Sequence, residues 1–132
     1  MNYSKKVIAR DGMTDVAYFL DTYALAKFNA GDPAYKPYEE VDGILTIFNL
    51  AEFNWAFKRD NKQLADELTV HYSKNQVPVL VEDIIPAMNL RMKNKKLSIP
   101  DVIGYMVAKR FGVKFLTGDK EFEGMENVEF VK

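Results

Sequence analysis

The sequence predicts an α/β domain built on a central, mainly parallel five-stranded sheet with helices on both faces. Two observations carry this. Short apolar runs of strand length take turns with longer stretches of helical spacing, and the runs are near-continuous rather than alternating, as expected of strands buried on both sides. The runs lie at residues 16–20, 44–47, 77–81, 113–116 and 128–131. Helical spacing occupies residues 22–29, 48–59, 61–74, 84–93 and 99–111.

In chain order, residues 1–16 fit this rhythm poorly and read as an N-terminal extension of unclear role, with Lys6 to Ala9 offering at most an edge strand. Residues 17–132 read as a single domain. The first run ends in Phe19 and Leu20 and is followed at once by Asp21 and a helical segment. Asn49, Leu50, Ala51 and Glu52 have the spacing of a capping box at the start of the second helix. Ser98, Ile99, Pro100 and Asp101 repeat it at the start of the last long helix, with Pro100 in the first turn and Asp101 at the third position. Gly118 and Asp119 make a turn after the fourth run, and Asp119 also suits the cap of a short helix.

Composition narrows the chemistry. The chain has 132 residues, 48% hydrophobic and 28% charged, the size and balance of one globular domain. No apolar run reaches the roughly 20 residues of a membrane helix, and the first residues lack a signal-peptide core, so the expected location is cytoplasmic. There is no Cys and one His, His71. Thiolate sites, disulfides and multi-histidine zinc sites are thereby excluded, and any metal must be held by oxygen. No glycine pattern for cradling a nucleotide occurs. Formal charge is −1, so no global basic field announces nucleic acid. Local basic clusters occur at Arg91, Lys93, Lys95 and Lys96 and at Lys109, Arg110 and Lys114. His71, within a helix beside Leu68 and Tyr72, reads as a packing or surface residue. Phe53, Trp55 and Phe57 read as core or a partner-binding face. Glu39, Glu40, Asp42, Glu82 and Asp83 read as solvated.

Four acids remain. In an open parallel sheet the ligand crevice lies beyond the carboxyl ends of the strands. Asp21 and Asp119 follow strands, while Glu52 and Asp101 lie in first turns of helices, so all four are expected at one edge of the sheet. Each has a bland explanation as a helix cap. Together they make a repulsive cluster that a divalent cation relieves, and oxygen-only ligands suit Mg²⁺ or Mn²⁺. That is a layout for phosphodiester hydrolysis.

Phe19-Leu20-Asp21-Thr22, Asn49-Leu50-Ala51-Glu52, Ser98-Ile99-Pro100-Asp101 and Leu116-Thr117-Gly118-Asp119-Lys120-Glu121-Phe122 resemble, in order and spacing, the successive motifs of PIN domains. The resemblance spans about residue 17 to the C-terminus. It implies a three-layer, Rossmann-like fold and an Mg²⁺- or Mn²⁺-dependent ribonuclease whose metal-site residues are Asp21, Glu52, Asp101 and Asp119. It implies Thr22 and Thr117 as polar supports, and it places Glu121 where many members carry a further Asp. Members of this size are often VapC-like toxins of toxin–antitoxin pairs, so a cognate antitoxin and a homodimer are also implied. On this reading one cation held mainly by Asp21, Asp101 and Asp119 activates water for in-line attack on RNA. Glu52 completes the site or takes the water's proton, and Lys93, Lys95 and Lys96 guide the phosphate backbone. The alternatives are a non-catalytic scaffold of the same fold, or a phosphoryl-transfer domain such as a phosphatase or receiver. The residues beside Asp21 argue against the latter: Tyr23 stands where a phosphatase needs a second Asp, and Leu20 precludes the receiver's acidic pair.

Overall fold

The computed structural model describes residues 17–132. The edge strand considered at Lys6 to Ala9, and Val16 of the first run, lie outside the described residues. Four strands form one sheet: β1 (Tyr18–Leu20), β2 (Gly43–Ile44), β3 (Lys114–Thr117) and β4 (Val128–Phe130), in the order β2-β1-β3-β4. Every pairing is parallel, with Phe19 opposite Ile44 and Phe115, and Phe115 opposite Val128. Helices α1 (Thr22–Ala30), α2 (Ile47–Lys58), α3 (Lys62–Tyr72), α4 (Val81–Lys93) and α5 (Ile99–Phe111) flank it, giving the three-layer α/β/α fold that was expected.

The fifth expected strand does not form. Val77 is buried and its N–H reaches the Leu45 carbonyl at 2.8 Å, with a single parallel bridge between Leu45 and Gln76. Pro78 then offers no N–H to continue a ladder, and Val81 already begins α4. The apolar run at 77–81 is thus an extended lead-in to a helix, much of it exposed.

The core is aromatic where α5 meets the sheet. Phe19 and Phe115 stack at 5.4 Å between ring centres, and Tyr105 and Phe122 close around Phe115. Gly104 faces these rings; a Cβ there would lie 2.7 Å from the Phe19 ring, so only glycine lets α5 approach this closely. The first turn of α5, which carries Asp101, is therefore seated by packing one turn further on.

One acid expected at the surface is not there. Asp83 is 3% exposed. It caps α4 by accepting the Leu80 N–H at 2.8 Å, and Arg110 on α5 grips it through Nε at 2.9 and 3.2 Å and Nη2 at 3.0 Å. The Arg110 fork also donates to the Pro78 carbonyl. Arg110 thus fastens α5 to the start of α4 instead of forming part of a solvated basic cluster. Removing it strands a buried carboxylate, so Arg110→Ala is expected to lower unfolding stability by about 3–5 kcal/mol in denaturant titration. A loss below about 1 kcal/mol, the scale of a surface pair, would contradict the assignment.

Candidate metal centre

Asp21 is placed by the sheet. Its N–H extends the β1–β3 ladder to the Leu116 carbonyl at 3.3 Å, which holds the side chain at the carboxyl end of two adjacent central strands. It occupies the cap position of α1, yet its side chain makes no capping hydrogen bond. Thr117 Oγ1 donates to Asp21 Oδ2 at 2.7 Å, while Oδ1 is buried with no hydrogen-bond partner. The whole residue is 2% exposed. A buried carboxylate oxygen without a donor is costly unless something positive occupies its lone pairs.

Asp101 does make its capping box: Oδ2 accepts the Ser98 N–H at 2.9 Å, and Ser98 Oγ accepts the Asp101 N–H at 3.2 Å. This occupies one carboxylate oxygen and fixes the orientation of the other. Glu52 does not cap. The box at the start of α2 is formed one turn earlier by Thr46 and Asn49, so the helix begins at Ile47 and Glu52 is released to point elsewhere. Its Oε2 accepts from Ser98 Oγ at 3.2 Å. Ser98 therefore links Glu52 to the turn that carries Asp101, a contact across 46 residues that leaves no trace in local sequence.

These placements bring one oxygen each of Asp21, Glu52 and Asp101 within 4.8 Å of one another. The electrostatic consequences follow. Burial, then the Asp101 charge, raises the Asp21 carboxyl well above the usual range; Glu52 adds to this, and the Thr117 hydroxyl and the Thr22 backbone N–H oppose it. Burial likewise pushes Asp101 up to about 6, with the Glu52 and Asp119 charges adding and the Ser98 hydrogen bonds opposing.

Asp119 stands outside the close trio but within electrostatic reach of Asp101. Its N–H donates to Thr117 Oγ1 at 3.1 Å, and its Oδ1 accepts the Glu121 N–H at 3.0 Å as the cap of a short 3-10 turn. Thr117 thereby ties Asp21 and Asp119 together. Gly118 between them admits no Cβ, which would collide with the Val131 carbonyl and the Tyr23 ring. The Glu121 carboxylate accepts from Asn94 Nδ2 at 3.2 Å, anchoring this turn to the end of α4, and Glu121 is not a member of the trio. The Thr22 hydroxyl is buried without a partner. Lys93, Lys95 and Lys96 are exposed at the end of α4 and in the turn leading to Ser98. His71 is exposed on α3 against the Tyr72 ring and takes no part in the site.

The sequence of residues 18–128 matches the family model of the PIN domain. The chain belongs to the PIN-domain family. Among solved structures, a chain of a toxin–antitoxin complex from Klebsiella pneumoniae shares the fold with a TM-score of 0.66 at 20% identity, over 87% of this chain and 96% of that one. VapC20 from Mycobacterium tuberculosis, described as a sarcin–ricin loop cleaving toxin, gives 0.64 at 18% identity, over 85% and 98%. A search of curated protein sequences finds no match. The matched region of the PIN domain begins at β1 and holds all four acids.

The donor set fits a hard divalent cation. All the converging atoms are carboxylate oxygens, the most buried of the three residues, Asp21, keeps its Oδ1 without a hydrogen-bond partner, and the mutual repulsion is relieved only by protons or positive charge. In chelated protein the pH dependence has a definite sign. Asp21 and Asp101 have native pKa values above their unfolded ones, so between about pH 4 and the native values the folded chain holds more protons, and stability falls as pH rises through that window. Asp21→Asn is accordingly expected to raise the metal-free Tm near neutral pH and to flatten its pH dependence relative to wild type. A variant less stable than wild type at neutral pH, with an unchanged slope, would show that the cluster carries no such strain.

Proposed function

We propose that this chain is an endoribonuclease that uses Mg²⁺ or Mn²⁺, and that it acts as the toxin of a toxin–antitoxin pair. The observation that carries the reading is a trio of carboxylates at the carboxyl edge of a parallel sheet, whose most buried member, Asp21, has one oxygen without a hydrogen-bond partner. Membership of a nuclease family supports the reaction class. The K. pneumoniae complex and VapC20 support a protein antitoxin as partner and RNA as substrate.

Asp21 and Asp101 would hold the cation from the floor of the site, with Glu52 beside them and Asp119 as a fourth carboxylate. A bound divalent ion supplies Lewis acidity toward a phosphate oxygen and makes a nucleophile of water at neutral pH. Glu52 is the half-buried member of the trio, so it is the group best exposed to take a proton from the attacking water. Ser98 holds Glu52 in that position through the 3.2 Å hydrogen bond. Thr117 fixes Asp21 and the turn of Asp119, Thr22 supplies a further hydroxyl near the floor, and Glu121 braces the turn through Asn94. The exposed ammonium groups of Lys93, Lys95 and Lys96 meet the RNA backbone, which makes binding dependent on salt.

Asp101→Asn separates chemistry from folding, because an amide oxygen still accepts the Ser98 N–H while the negative charge is gone. Wild type is expected to cleave single-stranded RNA with Mn²⁺ and not with chelator, and Asp101→Asn to lose about two orders of magnitude or more in rate with an unchanged circular dichroism spectrum. Undiminished cleavage by the variant would refute the assignment. Mn²⁺ should also raise the Tm of wild type in proportion to the logarithm of its concentration above Kd. A site that leaves the Tm unmoved at millimolar Mn²⁺ belongs to a non-catalytic scaffold instead.

A further inference from the structure

Helix α2 turns its aromatic residues two ways. Phe53 is buried in the core and Phe57 stacks on it at 4.5 Å between ring centres, with Asn49 and Leu50 buried on the same side. The other face carries Phe48, Ala51, Glu52, Trp55 and Arg59, whose spacings of three and four set them in one row. Of these, Glu52 reaches the acidic trio. Phe48 is 37% exposed and Trp55 68%, one a turn before Glu52 and the other a turn after it. Along the helix axis the two residues are roughly 10 Å apart. Ala51 is exposed between them and too small to screen either ring. The Arg59 guanidinium lies over the Trp55 ring, 5.8 Å from its centre, and among the described residues it has no ion pair.

We propose, on the footing of the ribonuclease reading, that this face is a base-stacking platform for single-stranded RNA. Trp55 stacks on the base at one side of the scissile phosphate, Phe48 supports the base at the other, and Arg59 contacts the strand beyond Trp55. A phosphodiester joins two nucleosides, so a strand laid with its phosphate at the acidic trio presents a base to each side of Glu52, where the two rings stand. Every base has a π-face, and an exposed aromatic ring binds it with little regard to sequence. Charge selects a nucleic acid rather than an apolar protein helix as the occupant. The row is interrupted at its middle by a carboxylate and ends in a guanidinium, and an apolar helix docked along it would bury both at a cost in desolvation. A polyanion gives Arg59 a phosphate to pair with and leaves Glu52 turned toward the acidic site. The guanidinium already seated over the indole extends the flat surface against which a base packs.

Trp55 is the one tryptophan of the chain, so its emission reports on this face alone. Full-length Asp101→Asn protein, which should leave RNA intact, is titrated with a short single-stranded oligoadenylate. Saturable quenching of Trp55 emission is expected, and an abasic strand of the same length and charge should not produce it. In anisotropy of a labelled oligoadenylate, adding Trp55→Ala should weaken binding by about tenfold or more, and Trp55→Phe should restore most of the affinity. Neither change should move the melting temperature, because the ring lies at the surface. RNA that binds with Trp55 emission unchanged, equal quenching by the abasic strand, or equal affinity for Trp55→Ala overturns the platform. So does emission that responds to a protein partner and not to RNA. Should wild type still cleave RNA with Mn²⁺ in any of these cases, the platform alone has failed. A wild type that neither cleaves nor binds RNA refutes the ribonuclease reading, and the platform with it.

Discussion

Three carboxylates share a space only a few ångströms across, and one of them is sealed from solvent. Everything around the sheet's carboxyl edge bears on that repulsion. At separations of about 4–5 Å, like charges in a partly desolvated pocket interact several times more strongly than in water, and burial adds its own penalty to each ionised group. The chain answers this only in part. Thr117 gives one hydrogen bond to Asp21, Ser98 gives one to Glu52 and its N–H one to Asp101, and Asp21 Oδ1 is left buried without a hydrogen-bond partner. A fold that positions the acids this firmly but solvates them this sparingly leaves a repulsion that protons or a cation would relieve.

The scaffold explains why the arrangement holds. Asp21 is fixed because its own N–H is part of the sheet. Asp101 is fixed because Gly104 lets α5 settle on the stacked Phe19 and Phe115 rings and because its capping box closes the first turn. Glu52 reaches in from α2, which packs against α5. Arg110, gripping the buried Asp83, ties the far end of α5 to α4. Side chains that look like ordinary stabilising features thus also hold the acidic edge, and the geometry of the trio is inherited from the core's rigidity.

The sequence made the helices and the central strands legible, because their apolar periodicity is a property of neighbouring residues. It was less informative wherever the outcome depended on residues far apart. The run at 77–81 has strand composition, but Pro78 breaks the donor series and the adjoining helix takes its end. Asp83 looks like a surface acid until Arg110, 27 positions later, is folded onto it. The four acids were visible as acids, and each had a capping explanation of similar merit. Only the folded chain separates these: Asp101 and Asp119 do cap, whereas Asp21 and Glu52 do not. Ser98 was expected as a cap, and its second bond, to Glu52, had no sequence signal at all.

If the trio of Asp21, Glu52 and Asp101 is a cation site, crystals grown with Mn²⁺ and measured for anomalous scattering will show it directly. A single strong peak is expected, bounded by those three side chains and about 2.1 Å from an Asp21 carboxylate oxygen. Ordered water or a lysine ammonium in that position, with Mn²⁺ bound elsewhere or nowhere, would contradict it.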